Sequence, residues 1–139
     1  EGVGKGRVES LRNLLDLMVI EVQITNQLGH NRPQEGSEQF FAYAVEQKLR
    51  RGRLLPYADR VGPGLLIAAS LYGQNVEPIR ATLESAGIRL DQLQPAIIED
   101  TLKTLPDYVV KHDLPYSILN GLDLDAERIA EIMAATGLG

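Results

Sequence analysis

Two histidines, His30 and His112, are the only imidazoles in this 139-residue chain, and there is no cysteine. A metal centre built on them needs carboxylates close by; Glu35 and Glu38 follow His30, and Asp113 follows His112. Two ligands on separate loops do not define a site, so each reads as a surface histidine. Without thiols, a disulfide scaffold, a thiolate zinc site and a cysteine nucleophile are all excluded. Ser10, Ser37, Ser70, Ser85 and Ser117 lack the Gly-x-Ser-x-Gly surroundings that expose a nucleophilic serine on a strained elbow. The pairs Glu99/Asp100 and Asp123/Asp125 read as helix caps and solvated faces. Gly2, Gly4 and Gly6 suggest a phosphate loop only superficially: Lys5 is followed by Gly6 and Arg7 rather than by Ser or Thr, and no strand precedes them. Spacing alone yields no catalytic constellation.

Composition narrows the classes further. Lys+Arg 14 against Asp+Glu 19 gives a net charge of −5, with 44% hydrophobic and 5% aromatic residues. That apolar fraction is too high for a disordered chain, and the length suits one core. The acidic balance argues against nucleic acid as a partner, because binding a phosphate backbone needs clustered positive charge. Only residues 48–53 are locally basic, as at a solvated helix end. The longest uncharged stretch, 61–76, is broken by glycines and a proline and is shorter than the ~20 residues of a membrane span. No membrane and a cytoplasmic setting are the expectation.

The elements that must position any site are helical. Residues 1–6 read as a flexible leader, and 7–139 as a single helical domain. Over 7–28, Val8, Leu11, Leu14, Leu15, Met18, Val22 and Ile24 recur at helical spacing. Leu17, Val19 and Ile20 make the middle apolar nearly all round, so this helix is expected to be central or at an interface. Gly29 stops it. A second helix is expected from Ser37, as N-cap, to about Arg51, with Phe40, Phe41, Ala44, Val45 and Leu49 on its apolar face. A third is expected over about 58–72, with Pro63 near its first turn, and a fourth over about 76–86 before a Gly87–Ile88 cap. Residues 95–110 are expected to hold a helix interrupted near Pro106. Residues 115–119 are ambiguous, and a last helix follows the N-cap Asp125 to near Gly137. The fold class is all-α, a multi-helix bundle of about six helices.

Two stretches carry more. Gly36-Ser37-Glu38-Gln39-Phe40-Phe41-Ala42-Tyr43-Ala44-Val45-Glu46 is followed by Pro56-Tyr57-Ala58-Asp59-Arg60-Val61-Gly62-Pro63-Gly64. This pair resembles the C-terminal helical domain of the iron-containing alcohol dehydrogenase and dehydroquinate synthase-like superfamily, nearest to the glycerol-1-phosphate dehydrogenases. Those proteins carry a Gly-(Ser/Ala)-Glu-His-x-x-x-His-x-x-Glu helix and then a His-Gly-Glu-x-Val-x-x-Gly helix. Gly36, Glu38, Glu46, Val61 and Gly64 fall in place. The resemblance extends over about 11–137, with Ser70-Leu71-Tyr72, Gly87-Ile88 and Tyr116-Ser117 in similar cadence.

The departures lie where the chemistry would be. The resemblance puts the family's two metal-binding histidines at Gln39 and Tyr57, and a further active-site histidine at Tyr43. The Gly-Glu after the second ligand has become Ala58-Asp59. The third ligand, an aspartate, would fall before Glu1, and the Rossmann-like half that holds NAD(P) is not in this sequence. In the family, a divalent metal holds the substrate oxygen as hydride moves. A Gln amide is a weak ligand for such an ion, and a phenol must first ionise from about pKa 10. The resemblance thus implies a scaffold that has shed its metal, with no cofactor in this chain.

Two readings of Gln39, Tyr43 and Tyr57 stand: ordinary packing residues, or the lining of a former cleft in which Glu46 or Asp59 partners a buried phenol. Three functions follow. The chain is a metal-free pseudoenzyme or binding module for a small polyol or phosphate ester. Alternatively, it is the C-terminal part of a working oxidoreductase with a separate cofactor-binding domain. A third reading is a helical protein–protein interaction module, a homo-oligomer joined through residues 14–22.

Overall fold

The computed structural model describes residues 2–32, 34–49 and 55–139. Six helices follow in order: α1 (Val8–Leu28), α2 (Ser37–Lys48), α3 (Tyr57–Leu71), α4 (Glu77–Ser85), α5 (Pro95–Lys111) and α6 (Ala126–Thr136). No strand occurs among the described residues, so the chain is all-α as expected. No described helix is long and apolar enough to cross a membrane.

The α2–α3 hairpin is the centre of the bundle. It packs on α5 through α2 and on α4 and α6 through α3, and α5 also meets α6. Phe40, Phe41 and Val45 of α2, Leu66 of α3, and Ile98, Leu102, Leu105 and Val109 of α5 are each 0% exposed. The close crossing of α2 and α3 depends on a missing side chain. A Cβ on Gly64 would lie 2.5 Å from the Glu38 carbonyl oxygen and 3.1 Å from the Phe41 ring. Glycine there lets the two backbones approach.

Helix ends follow local chemistry where that chemistry is available. Gly29 (φ 70°) and Gly137 (φ 58°) close α1 and α6 in the left-handed region. The Asp125 carboxylate accepts from the Arg128 amide at 2.8 Å and starts α6. After α4, Gly87 (φ 88°) lets the Ile88 amide reach back to the Leu83 carbonyl at 3.0 Å. The α2 start differs from expectation: Gly36 is the N-cap, and Ser37 is the first helical residue and makes no capping bond. α2 stops at Lys48, short of the expected end near Arg51, because Leu49 turns to extended backbone (φ −67°, ψ 124°). Most of the basic stretch 48–53 lies outside the described residues.

Two prolines test how far local rules reach. Pro63 sits inside α3 and Pro106 inside α5, and α5 runs unbroken rather than interrupted. A proline in a helix interior costs about 3 kcal/mol. Burying the four fully enclosed aliphatics of α5 returns roughly 6–12 kcal/mol, so packing wins. Residues 115–119 are not helical. There the Asn120 side-chain oxygen accepts from the Ser117 amide at 2.8 Å, and the Asn120 amide returns to the Ser117 carbonyl at 3.1 Å.

Candidate functional site

Gln39 and Tyr43 lie one turn apart on α2, so both project from one face. Tyr57 is the first residue of α3 and faces them across the hairpin. Its hydroxyl donates to the Gln39 side-chain oxygen. The Gln39 amide nitrogen in turn donates to the Gln34 carbonyl at 3.0 Å. The Tyr43 hydroxyl donates to Glu35 Oε1 at 3.4 Å. Gln34 and Glu35 belong to the segment leading into α2, so this polar cluster ties that segment to both helices.

Burial, then the adjoining Tyr57 phenol and the Glu35 carboxylate, push the Tyr43 hydroxyl well above the ordinary tyrosine range. Tyr43 is therefore a neutral hydrogen-bonding group. The partner that a buried phenol was expected to find at Glu46 or Asp59 is Glu35 instead.

Glu46 and Asp59 are engaged elsewhere. Glu46 Oε2 is paired with the Arg60 guanidinium at 2.8 Å, and that guanidinium lies over the Tyr57 ring, 5.3 Å from its centroid. Arg60 is 9% exposed, and its Nε has no hydrogen-bond partner. Asp59 is 4% exposed and turned toward the segment after α4. It accepts from the Arg89 amide at 3.1 Å, from Arg89 Nε at 3.1 Å and from the guanidinium terminus at 2.7 Å. Asp59 thus fastens α3 to residue 89 and takes no part in the tyrosine cluster.

The histidines stand in separate surroundings. His30, in the loop after α1, accepts from the Arg32 amide at 3.3 Å. His112 ends α5, and its ring lies 4.3 Å from that of Tyr108. Among the described residues no three His, Asp or Glu side chains gather as a metal-holding group.

Glu35 also lines a concavity of about 180 Å³ with Arg32, Ser37, Glu38, Tyr72 and Ser117. Its lining brings one guanidinium, three hydroxyls and two carboxylates to the same concavity. Sequence reasoning did not single out Arg32, Glu35 or Arg60 for these roles. Glu35 stands eight residues before Tyr43, across the turn that opens α2, and Arg60 follows Tyr57 by one helical turn. Helical spacing could have flagged Arg60; only the path of the loop reveals Glu35.

No family model matches the chain. It is 27% identical over 139 residues to the glycerol-1-phosphate dehydrogenase (NAD(P)+) of Aeropyrum pernix, covering 99% of this chain and 39% of that protein. It is 29% identical over 82 residues to the enzyme of the same name from Thermococcus kodakarensis, covering 59% of this chain and 23% of that protein. These similarities support a distant relationship to NAD(P)-dependent dehydrogenases of the dehydroquinate synthase-like superfamily. The chain spans about two-fifths or less of the length of these curated relatives.

Proposed function

We propose that this chain is a metal-free relative of the substrate-binding domain of an NAD(P)-dependent polyol or glycerol-phosphate dehydrogenase. It acts as a pseudoenzyme, a binding module for a small polyol or phosphate ester. The observation that carries this reading is the hydrogen-bonded set of Gln39, Tyr43 and Tyr57 at the positions where the resemblance places imidazoles. These residues do not fit a catalytic divalent ion. Gln39 offers one amide oxygen, already accepting from Tyr57, and the Tyr57 hydroxyl donates its proton in that same bond, whereas a metal-binding phenol must give that proton up. What remains to them is directional hydrogen bonding to hydroxyl groups.

The neighbouring concavity supports the ligand class. Arg32 supplies a guanidinium suited to a phosphate, Ser37 and Ser117 supply hydroxyls, and Glu35 and Glu38 accept from ligand hydroxyls. Its size falls below the roughly 300–1,000 Å³ that houses a drug-sized molecule, which favours a short polyol phosphate over a dinucleotide.

A second reading has one observation in its favour. Because the match covers 39% of the Aeropyrum protein, a companion cofactor-binding segment would complete an oxidoreductase. A thermal-shift series with glycerol phosphate, zinc, iron and NAD(P) tests both readings. The binding-module reading expects glycerol phosphate alone to raise Tm, by the equivalent of about 2.7 kcal/mol at a hundredfold excess over Kd. It also expects Arg32→Ala to abolish the response. A zinc- or iron-dependent rise contradicts it.

A further inference from the structure

The 21-residue helix α1 has no helix packed against it among the described residues. Thr25 is its only buried residue. Helices normally draw their stability from an apolar face buried against neighbours, and propensity alone leaves them marginal. A helix with this many exposed apolar side chains therefore calls for a cover.

The spacing of those side chains says what kind. Val8, Leu11, Leu15, Met18 and Val22 follow one another at intervals of three and four residues. This is the repeat that keeps one seam facing a partner helix along its length. They are 83%, 43%, 60%, 53% and 47% exposed. Leu14 and Val19 flank the seam at 40% and 48% exposure. At roughly 70 Å² apiece, these seven side chains would bury roughly 500 Å² per copy, or roughly 1,000 Å² in a symmetric pair, where specific interfaces begin.

We propose that α1 is a self-association surface, and that a second copy of this chain covers it as an antiparallel helix pair. The seam is self-complementary in that direction. Leu11 meets Val22 of the second copy and Leu15 meets Met18, so large apolar residues oppose one another on both sides of the two-fold axis. A parallel pair would bring Arg7 of one copy beside Arg12 of the other and align the two helix dipoles. The leader does not obstruct this arrangement. Gly2 and Val3 lie by Ser10, Asn13, Leu14 and Leu17, largely to the side of the seam.

Light scattering coupled to size-exclusion chromatography of the full chain is expected to give twice the 15.3 kDa of one copy. A monomer at the highest soluble concentration would overturn the proposal. The double substitution Leu15→Glu/Met18→Glu should yield a monomer, whereas Leu17→Glu/Ile24→Glu, off the seam, should leave the dimer intact. The reverse pattern rejects the seam. Cross-linking guards against variants that fail to fold. In this cysteine-free chain, mixed Leu15→Cys and Met18→Cys proteins should form the 15–18 disulfide in preference to 15–15 and 18–18. Preference for the like-to-like products contradicts the antiparallel pair, and no cross-linking contradicts the interface.

Discussion

α1 and α2 are both rich in apolar side chains, and their fates are opposite. Phe40, Phe41 and Val45 of α2 are wholly enclosed, whereas Leu15, Leu17 and Met18 of α1 are 60%, 64% and 53% exposed. The difference lies in what each helix meets. α2 lies against Gly64, where the absence of a Cβ brings α3 to contact distance, and α5 closes its other side. Among the described residues no helix does the same for α1. Hydrophobicity marks both helices for burial, and only the partner surface decides which one obtains it within a single copy.

The sharpest way to break this contrast is a matched pair of truncations. Phe41→Ala should cost roughly 3–5 kcal/mol of unfolding free energy, because it opens a cavity in an enclosed site. Leu17→Ala on α1 should stay within about 0.5 kcal/mol, as for a surface position. Chemical denaturation of both variants checks this. Equal losses would mean that α1 is packed as tightly as α2.

Next in size is Gly64→Ala, expected to cost about 2–3 kcal/mol by forcing the α2–α3 crossing apart. The same substitution at Gly6, where nothing lies within 4 Å of an added Cβ, meets backbone strain alone (φ 65°) and should cost less. Asp59→Asn follows, at about 1–2 kcal/mol, through its weakened bonds to Arg89. Arg89→Ala should cost at least as much, because it leaves the buried Asp59 carboxylate with only the residue-89 amide as partner, and thermal melts of both variants rank them.

The smallest effect is a titration. Tyr43 holds its proton above the ordinary value of about 10, so the stability it contributes as a neutral phenol is complete below that pH and is lost as pH rises through its folded-state range. An ultraviolet titration of the tyrosines should show a late-ionising component that Tyr43→Phe reduces. Tyr108, raised by burial and then by Glu46, should ionise late as well. Loss of amplitude from the ordinary-range component in the Tyr43→Phe protein, with the late component intact, would place Tyr43 in water.

Local signals made much of the fold legible. Gly29, Gly87, Gly137 and Asp125 act where short-range geometry alone decides, and each ends or starts a helix as expected. Pro106 misleads because its cost is local while the gain that overrides it is spread over Ile98, Leu102, Leu105 and Val109. The site was legible as a set of positions and illegible as a set of bonds. Gln39 and Tyr57 meet across 18 residues of sequence, and Asp59 meets Arg89 across 30, and no periodicity specifies either pairing. The all-round apolar character of α1 pointed to a central or interfacial helix, and the absence of any helix packed on it among the described residues turns that into a question of assembly.

The central proposal is that the α2–α3 hairpin binds a small polyol phosphate through hydrogen bonds at Gln39, Tyr43 and Tyr57. NMR observation of the Tyr43 and Tyr57 rings and the Gln39 side-chain amide during parallel titrations with zinc and with glycerol phosphate tests it most directly. Glycerol phosphate is expected to move these resonances saturably, with zinc leaving them in place. Saturable zinc shifts at Gln39 and Tyr57, with no response to the phosphate ester, would contradict it.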